Sequence, residues 1–188
     1  MEFIVIGLGN PGKEYENSRH NVGYKTIDIL CDRYGVKLSK ETSSSQGASI
    51  VLGGHKTLIA KSNTFMNDSG VAVGEIIRRY KVGPKNLIVV HDELDLEDGI
   101  VKIKLGGGLA GHNGLRSIKQ HIKTQDFIRV RIGVGKPSHK TQGASHVLKA
   151  LSKKEMEELL ISCEMSADIV ETIIETNLEN AMLKFHSL

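Results

Sequence analysis

A histidine and an aspartate occupy positions from which they could act together on a water molecule. His20 lies just before the first predicted helix, and Asp92 directly follows an apolar segment that ends at His91. A carboxylate within reach of an imidazole fixes its tautomer and stabilises it when it takes a proton, which is the chemistry of a general base. Each residue alone also has an ordinary interpretation. His20 could bond a loop or cap a helix, and Asp92 could belong to a solvated acidic turn.

Three asparagines, Asn10, Asn67 and Asn113, fall in predicted loops that follow strands. An amide side chain offers a donor and an acceptor together, which suits the binding of peptide backbone without reading peptide side chains. The alternative for Asn67 and Asn113 is a capping role, because asparagine is common at helix starts.

The segment GLGNPG at 7–12 matches the GxGxxG pattern of dinucleotide-binding proteins. Pro11 interrupts the pattern, and the next predicted helix begins near residue 20, so no helix N-terminus follows to receive a pyrophosphate. We therefore expect these glycines to shape a tight loop that brings Asn10 to the end of the first strand.

Other kinds of catalysis have weaker support in the sequence. There is no GxSxG segment, and Cys31 is predicted in mid-helix, so activated water is the favoured nucleophile. A metal site remains open as an alternative, although its possible ligands match no strong metal motif: His91, Asp92, Glu93 and Asp95.

The elements that would position these residues alternate between strand and helix. Apolar runs predict buried strands at 2–7 and 87–91, and a hairpin signal joins strands at 48–53 and 56–61. Alternation predicts half-exposed strands at 100–105 and 127–135, the first with Lys102 and Lys104 on one side. Helical spacing predicts helices from about 20 to Gly35, over 69–80, from the glycine loop at 106–111 to about 122, and from about 152 onward. The low-complexity segment 42–47 is predicted to be a surface loop. This order predicts one α/β domain over 1–188, with a twisted mixed sheet surrounded by helices.

Charge is concentrated in one part of the chain. Residues 100–149 hold ten Lys or Arg and one acid, Asp126, which gives this segment +9 although the whole chain carries only +3. Such a segment favours an anionic partner, of which nucleic acid is the commonest large kind. A solvated basic face is the alternative.

The composition fits a globular protein, with 39% hydrophobic and 25% charged residues. No apolar run approaches the ~18 residues of a membrane span, and the N-terminus does not resemble a signal peptide. Two distant cysteines, Cys31 and Cys163, favour ordinary helix-face residues over a disulfide or zinc site, and indicate a cytoplasmic setting.

Six segments, taken together, resemble the bacterial-type peptidyl-tRNA hydrolase family. They agree with the family in order and spacing: GLGNPG at 7–12, RHNVG at 19–23, FMNDSG at 65–70, HDELDL at 91–96, GGGLAGHNGL at 106–115 and RIGVG at 131–135. The sequence departs from the family pattern at Ala110, where glycine is usual, and in KSNT at 61–64, which includes Ser62 and lacks a usual proline.

The resemblance implies hydrolysis of the ester between peptide and tRNA in peptidyl-tRNA released from stalled ribosomes, by a monomer without metal or organic cofactor. It assigns catalytic roles to His20, as the base that activates water, to Asp92, which orients it, and to Asn10. It implies that the peptide and ester are bound by Asn10, Tyr15, Phe65, Asn67 and Asn113. The acceptor stem and 3′ end of tRNA would meet Lys102, Lys104 and Arg131.

Two rival functions carry different expectations. A non-catalytic RNA-binding protein on the same fold would share the basic segment, but would not need His20, Asp92 and the three asparagines together. A nucleotide-dependent oxidoreductase would bind nicotinamide or flavin at the glycine motif.

Overall fold

The computed structural model describes residues 1–109, 111–137 and 143–186. Ala110 and Lys140 lie outside the described residues, so the glycine-loop departure and one lysine of the basic segment have no structural counterpart. The described chain forms a seven-stranded sheet in the order β2-β3-β4-β1-β5-β7-β6. The strands are β1 Phe3–Gly7, β2 Ser39–Thr42, β3 Ser45–Leu52, β4 His55–Ser62, β5 Leu87–Glu93, β6 Val101–Leu105 and β7 Ile128–Gly133.

Four central strands, β4, β1, β5 and β7, run parallel, and the outer pairings are antiparallel. The fold is therefore α/β with a mixed sheet, as the sequence predicts. The helices are α1 Val22–Tyr34, α2 Ser69–Tyr80, α3 Asn113–Ile122, α4 Gly143–Leu148, α5 Lys153–Glu175 and α6 Leu178–His186. No helix among the described residues has the length and apolar character to cross a membrane.

Two local predictions need correction. The predicted surface loop at 42–47 is wrong, because β2 and β3 pair antiparallel there and only Ser43 and Ser44 form the turn between them. Ser45 and Gly47 are buried by this pairing despite their polar or small side chains. Helix α4 was not predicted, because its six residues are too few to give a helical repeat.

Hydrophobic side chains form a separate core on each face of the sheet. One core joins the sheet to α1, α5 and α6 and includes apolar residues of β6 and β7. The other joins β1, β4 and β5 to α2 and α3, and takes no residue from β6 or β7. On that second face, β6 and β7 instead carry basic residues, because successive side chains alternate between faces.

A close contact between β1 and α1 fixes the segment that carries His20. A Cβ atom at Gly7 would lie 2.2 Å from the carbonyl oxygen of Gly23, and one at Gly23 would lie 2.4 Å from that of Val90. Only glycine allows the backbones to approach so closely. The first turn of α1 is therefore held against the ends of β1 and β5, and the 3-10 turn Arg19–Asn21 lies beside them.

Candidate active site

All but one of the seven predicted catalytic and substrate-binding residues converge at the carboxyl ends of the parallel strands. A cavity of about 510 Å³ opens there. Its lining includes six of the residues singled out from the sequence, namely Asn10, His20, Phe65, Asn67, Asp92 and Asn113. Open α/β sheets commonly place their ligands at this edge. Helix α4 supplies an apolar wall through Val147 and Leu148.

His20 and Asp92 form a direct hydrogen-bonded pair. The distance between His20 Nδ1 and Asp92 Oδ2 is 2.7 Å. An ionised carboxylate can only accept, so Nδ1 donates and the Nε2 lone pair remains for a ligand in the cavity. The Asp92 side chain is 3% exposed, whereas that of His20 is 14% exposed. The arrangement can therefore take a proton from a bound water.

Asp92 also contacts a second histidine that sequence reasoning missed. His112 Nε2 lies 2.8 Å from Asp92 Oδ1, so each carboxylate oxygen has an imidazole partner. Burial disfavours the charged carboxylate, but His20 and His112 outweigh it and hold the pKa of Asp92 well below its usual range. The signal for His112 was its place beside Asn113 in the glycine-rich segment, where only Asn113 was given a role.

Asn10 is fixed by three hydrogen bonds. Its backbone N–H donates to Asn21 Oδ1 at 2.8 Å, and its carbonyl accepts from Asn21 Nδ2 at 3.0 Å. Its side-chain Oδ1 accepts from the Met66 N–H at 2.7 Å. These bonds orient the amide and leave Asn10 Nδ2 without a partner among the described residues, so this donor is available to a ligand. Asn21 follows His20 in the segment RHNVG at 19–23, and the sequence indicated no role for it.

The other two asparagines present their side chains to solvent at the cavity. The capping alternative is wrong for both, because Asp68 occupies the N-cap position of α2, without a side-chain capping bond, and the His112 side chain caps α3. Asn67 and Asn113 are exposed. Phe65 is 56% exposed at the rim. Tyr15 does not line the cavity but meets Phe65 edge to face, with ring centroids 6.3 Å apart.

The predicted nucleic-acid residues lie on the face of β6 and β7 that the second hydrophobic core does not cover. Lys102 is directly opposite Arg131, and Lys104 is directly opposite Arg129. Lys102 and Lys104 form no ion pair with any residue that the structure describes. We call Lys102, Lys104 and Arg131 the basic face.

The two arginines of β7 differ from these lysines. Arg131 Nε donates to Glu93 Oε1 at 3.1 Å, so this guanidinium is partly engaged. Arg129 is 1% exposed and donates through Nη2 to the carbonyls of Gly106 and Gly108. Arg129 thus ties down the glycine loop and adds no accessible charge to the surface.

The acidic segment at the end of β5 does not assemble a metal site. His91 Nδ1 bonds the Asp92 carbonyl, Glu93 pairs with Arg131 and Asp95 pairs with Lys136, so the four suggested ligands do not converge. The group that does converge is His20, Asp92 and His112. However, His112 Nδ1 already accepts from the Gly114 and Leu115 N–H groups, which keeps the imidazole proton on Nε2 and its lone pair unavailable to a metal.

Comparison with known proteins gives one consistent result. A family model described as peptidyl-tRNA hydrolase matches residues 4–188. A peptidyl-tRNA hydrolase of Rhodococcus opacus (strain B4) is 47% identical over 186 residues, which cover 97% of this chain and 97% of that protein. One from Mycobacterium tuberculosis (strain ATCC 25177 / H37Ra) is 42% identical over 188 residues, which cover 98% and 97%. The crystal structure of peptidyl-tRNA hydrolase from Acinetobacter baumannii superposes with a TM-score of 0.91 at 33% identity, covering 98% of this chain and 94% of that one.

Proposed function

The chain belongs to the peptidyl-tRNA hydrolase family, and on this premise we propose that it cleaves the ester of peptidyl-tRNA released from stalled ribosomes. Proteins of this family are hydrolases, and this chain is an enzyme of that class. The observation that carries the proposed mechanism is the His20–Asp92 hydrogen bond of 2.7 Å at the wall of the cavity. We assign the reaction to the cytoplasm, where the ribosomes release the substrate. The enzyme is proposed to act as a monomer and without a metal ion.

The proposed reaction uses water as the nucleophile. His20 Nε2 takes a proton from the water as its oxygen attacks the ester carbonyl, and Asp92 stabilises the imidazolium that forms. The tetrahedral intermediate then collapses and the bond to the ribose oxygen breaks. That oxygen takes from His20 the proton that the water gave up. Asn10 Nδ2 and the amides of Asn67 and Asn113 are the donors offered to the developing oxyanion and to the peptide backbone.

The same amides account for a preference for acylated substrates. An amide can pair with a peptide bond of any sequence, because every peptide bond has one donor and one acceptor. A free ammonium has donors only and carries a charge that must be desolvated in the cavity. Aminoacyl-tRNA with a free α-amine is therefore expected to be a poor substrate.

The tRNA backbone is assigned to the basic face. Like charges directly opposite each other on paired strands destabilise a sheet, yet β6 and β7 carry two such pairs. Arg131 pairs with Glu93, and Arg129 donates through Nη2 to two backbone carbonyls, although its buried Nε and Nη1 have no partner among the described residues. Lys102 and Lys104 have no ion-pair partner there. A polyanion on this face would relieve the repulsion, and phosphates are the anions that a tRNA hydrolase must meet.

The test is release of tRNA from N-acylated aminoacyl-tRNA, with EDTA in all reactions and the unacylated form as the matched substrate. Hydrolysis of the acylated form alone is the expected result. Retained tRNA binding without hydrolysis of either substrate would contradict the proposal and favour an RNA-binding protein. Hydrolysis abolished by EDTA and restored by a divalent metal would contradict the metal-free mechanism.

A further inference from the structure

The carboxylate of Asp92 is held by two imidazoles that differ in their remaining contacts. His20 occupies Oδ2 and keeps its second ring nitrogen free toward the cavity. His112 occupies Oδ1, and its second ring nitrogen is fully used. His112 Nδ1 lies 3.1 Å from the Gly114 nitrogen and 3.3 Å from the Leu115 nitrogen, both in the first turn of α3.

These contacts define which ring nitrogen of His112 accepts a hydrogen bond. A backbone N–H can only donate, so Nδ1 must accept and cannot carry a hydrogen. The one proton of the neutral ring is therefore on Nε2 and is donated to Asp92. A doubly protonated ring would direct its Nδ1 proton at two N–H groups and would lose the cap at the N-terminus of α3, where a positive charge is already unfavourable.

We propose that His112 is a positioning residue of the hydrolysis, held neutral by α3 so that it orients Asp92 without cancelling its charge. A cationic His112 would share the carboxylate with the imidazolium of His20 and weaken its stabilisation. A neutral donor keeps Asp92 in place and leaves its full charge for His20. The inference rests on the proposed function, since it assigns His20 as the base.

The surroundings of the His112 ring support this assignment. His91 packs against it edge-on, with ring centroids 5.0 Å apart. Burial lowers the pKa of His91 to about 3, so this neighbour is uncharged near neutral pH. On another side, a Cβ at Gly114 would lie 2.6 Å from Met66 Sδ and 3.0 Å from His112 Cε1, so glycine lets the start of α3 lie close to both side chains. Among the described residues, the charged or titratable groups that meet the ring are Asp92, His20 and His91.

The first arm of the test reads the tautomer directly. Long-range proton–nitrogen correlation spectra of the full-length protein at pH 7 distinguish protonated from unprotonated ring nitrogens. The His112 signals are identified by their loss in His112→Asn. We expect a proton on Nε2 and none on Nδ1. A proton on Nδ1, or on both nitrogens, would overturn the inference.

The second arm separates positioning from helix capping. Asparagine is a strong N-cap but is too short to reach Asp92. His112→Asn therefore keeps the cap of α3 and loses the hydrogen bond to Asp92, whereas His112→Phe loses both. We expect His112→Asn to keep a Tm near wild type. Its kcat should nevertheless fall roughly tenfold at unchanged KM, the effect of one hydrogen bond to a charged group. His55→Asn, at an exposed histidine paired with Glu2, is the control with unchanged kcat.

The outcomes separate the inference from the proposed function. Full kcat in His112→Asn, with the wild type active, would overturn only the positioning role. An inactive wild type with His112 protonated on Nε2 would overturn the proposed hydrolysis while leaving the proton arrangement in place.

Discussion

The site at the strand ends and the basic face are built in opposite ways. At the strand ends, Asn10 and Asp92 are buried and their acceptor oxygens are occupied by protein donors. On the basic face, Lys102 and Lys104 are partly exposed and have no ion-pair partner among the described residues. The buried groups of the first region are fixed before any ligand arrives, whereas the second region holds lysine charges that no described residue neutralises.

This difference matches the two demands of the proposed reaction. Proton transfer depends on distances of a few tenths of an ångström, so its groups must be fixed in advance. Phosphate binding depends on charge over a surface and tolerates mobile side chains. Substitutions at the strand ends should therefore change turnover, and substitutions on the basic face should change affinity and its dependence on salt.

The largest effect is expected from His20→Ala. Loss of a general base lowers kcat by roughly 10²–10⁴-fold. Affinity for tRNA should stay within about twofold, because His20 lies outside the basic face. Steady-state hydrolysis and fluorescence anisotropy with labelled tRNA measure the two quantities. Near-normal turnover would remove His20 from the role of base.

Asp92→Asn should follow, with kcat lowered by about 10²-fold, within the range expected for the base that it orients. Asp92 accepts from His20 on one oxygen and from His112 on the other, but asparagine can accept on only one. Its amide would donate to His20 Nδ1 and force the proton onto Nε2, the nitrogen that must receive the proton of water. Asp95→Asn is the matched control, since Asp95 is exposed and paired with Lys136. Equal rates for the two variants would contradict the orienting role.

His91 provides a test of how tightly the strand-end region is packed. Its pKa of about 3 in the folded protein lies below that of an unfolded histidine, so the unfolded chain binds a proton that the folded chain does not. Stability must therefore fall as pH drops below the unfolded pKa of about 6.5, by roughly 2 kcal/mol between pH 7 and 5. Asp92 does not contribute in this window, because the ordinary pKa of aspartate, about 3.9, lies below it.

Urea unfolding of wild type and His91→Leu at pH 7 and 5 isolates that contribution. The variant should lose this part of the pH dependence, whatever its stability at pH 7. The same pH dependence in both proteins would show that His91 titrates normally and that the region is open to water.

The smallest effect on the protein itself is expected from the double substitution Lys102→Ala and Lys104→Ala. Removing two unpaired charges that face arginines should leave the Tm unchanged or slightly higher. Affinity for tRNA should fall about tenfold, and the slope of log K against log salt should become shallower by roughly 1 to 2. An unchanged slope would remove the lysines from the tRNA site.

Arg131→Ala is a less direct version of the same test. The slope should again decrease, since the guanidinium is partly exposed. Glu93, whose side chain is 5% exposed, would lose its partner, so the protein should also be less stable. Lys119→Ala, at an exposed lysine on α3, is the control that should change neither quantity by a comparable amount.

The sequence predicted the fold where pattern and packing agree. Apolar runs gave β1 and β5, and alternation gave β6 and β7, because these strands are buried on two faces or on one. The loop predicted around Ser45 was wrong, because strand pairing there overrides a composition typical of loops. Nothing local could indicate α4, whose position depends on contacts such as that of His146 Nε2 with the Val134 carbonyl.

For the site, residue types indicated the chemistry, but only the pairing of His20 with Asp92 could be predicted. His20 and Asp92 are 72 positions apart, and the proximity of strand ends in a parallel sheet made their pairing predictable. The roles of Asn21 and His112 could not be read from type and spacing, because each acts through a bond to another site residue. The burial of Arg129 and the pairing of Arg131 were equally hidden, since alternation shows which face a side chain takes but not what covers it.

The most direct test of the division between the two regions compares His20→Ala with the Lys102→Ala, Lys104→Ala double variant under single-turnover conditions. Enzyme is varied in excess over N-acylated aminoacyl-tRNA, which yields the maximal rate and the half-saturating concentration separately. We expect His20→Ala to lose the maximal rate and to keep the half-saturating concentration. The double variant should keep the maximal rate and need about tenfold more enzyme to reach it. Loss of the maximal rate in the lysine variant, or its retention in His20→Ala, would contradict the division.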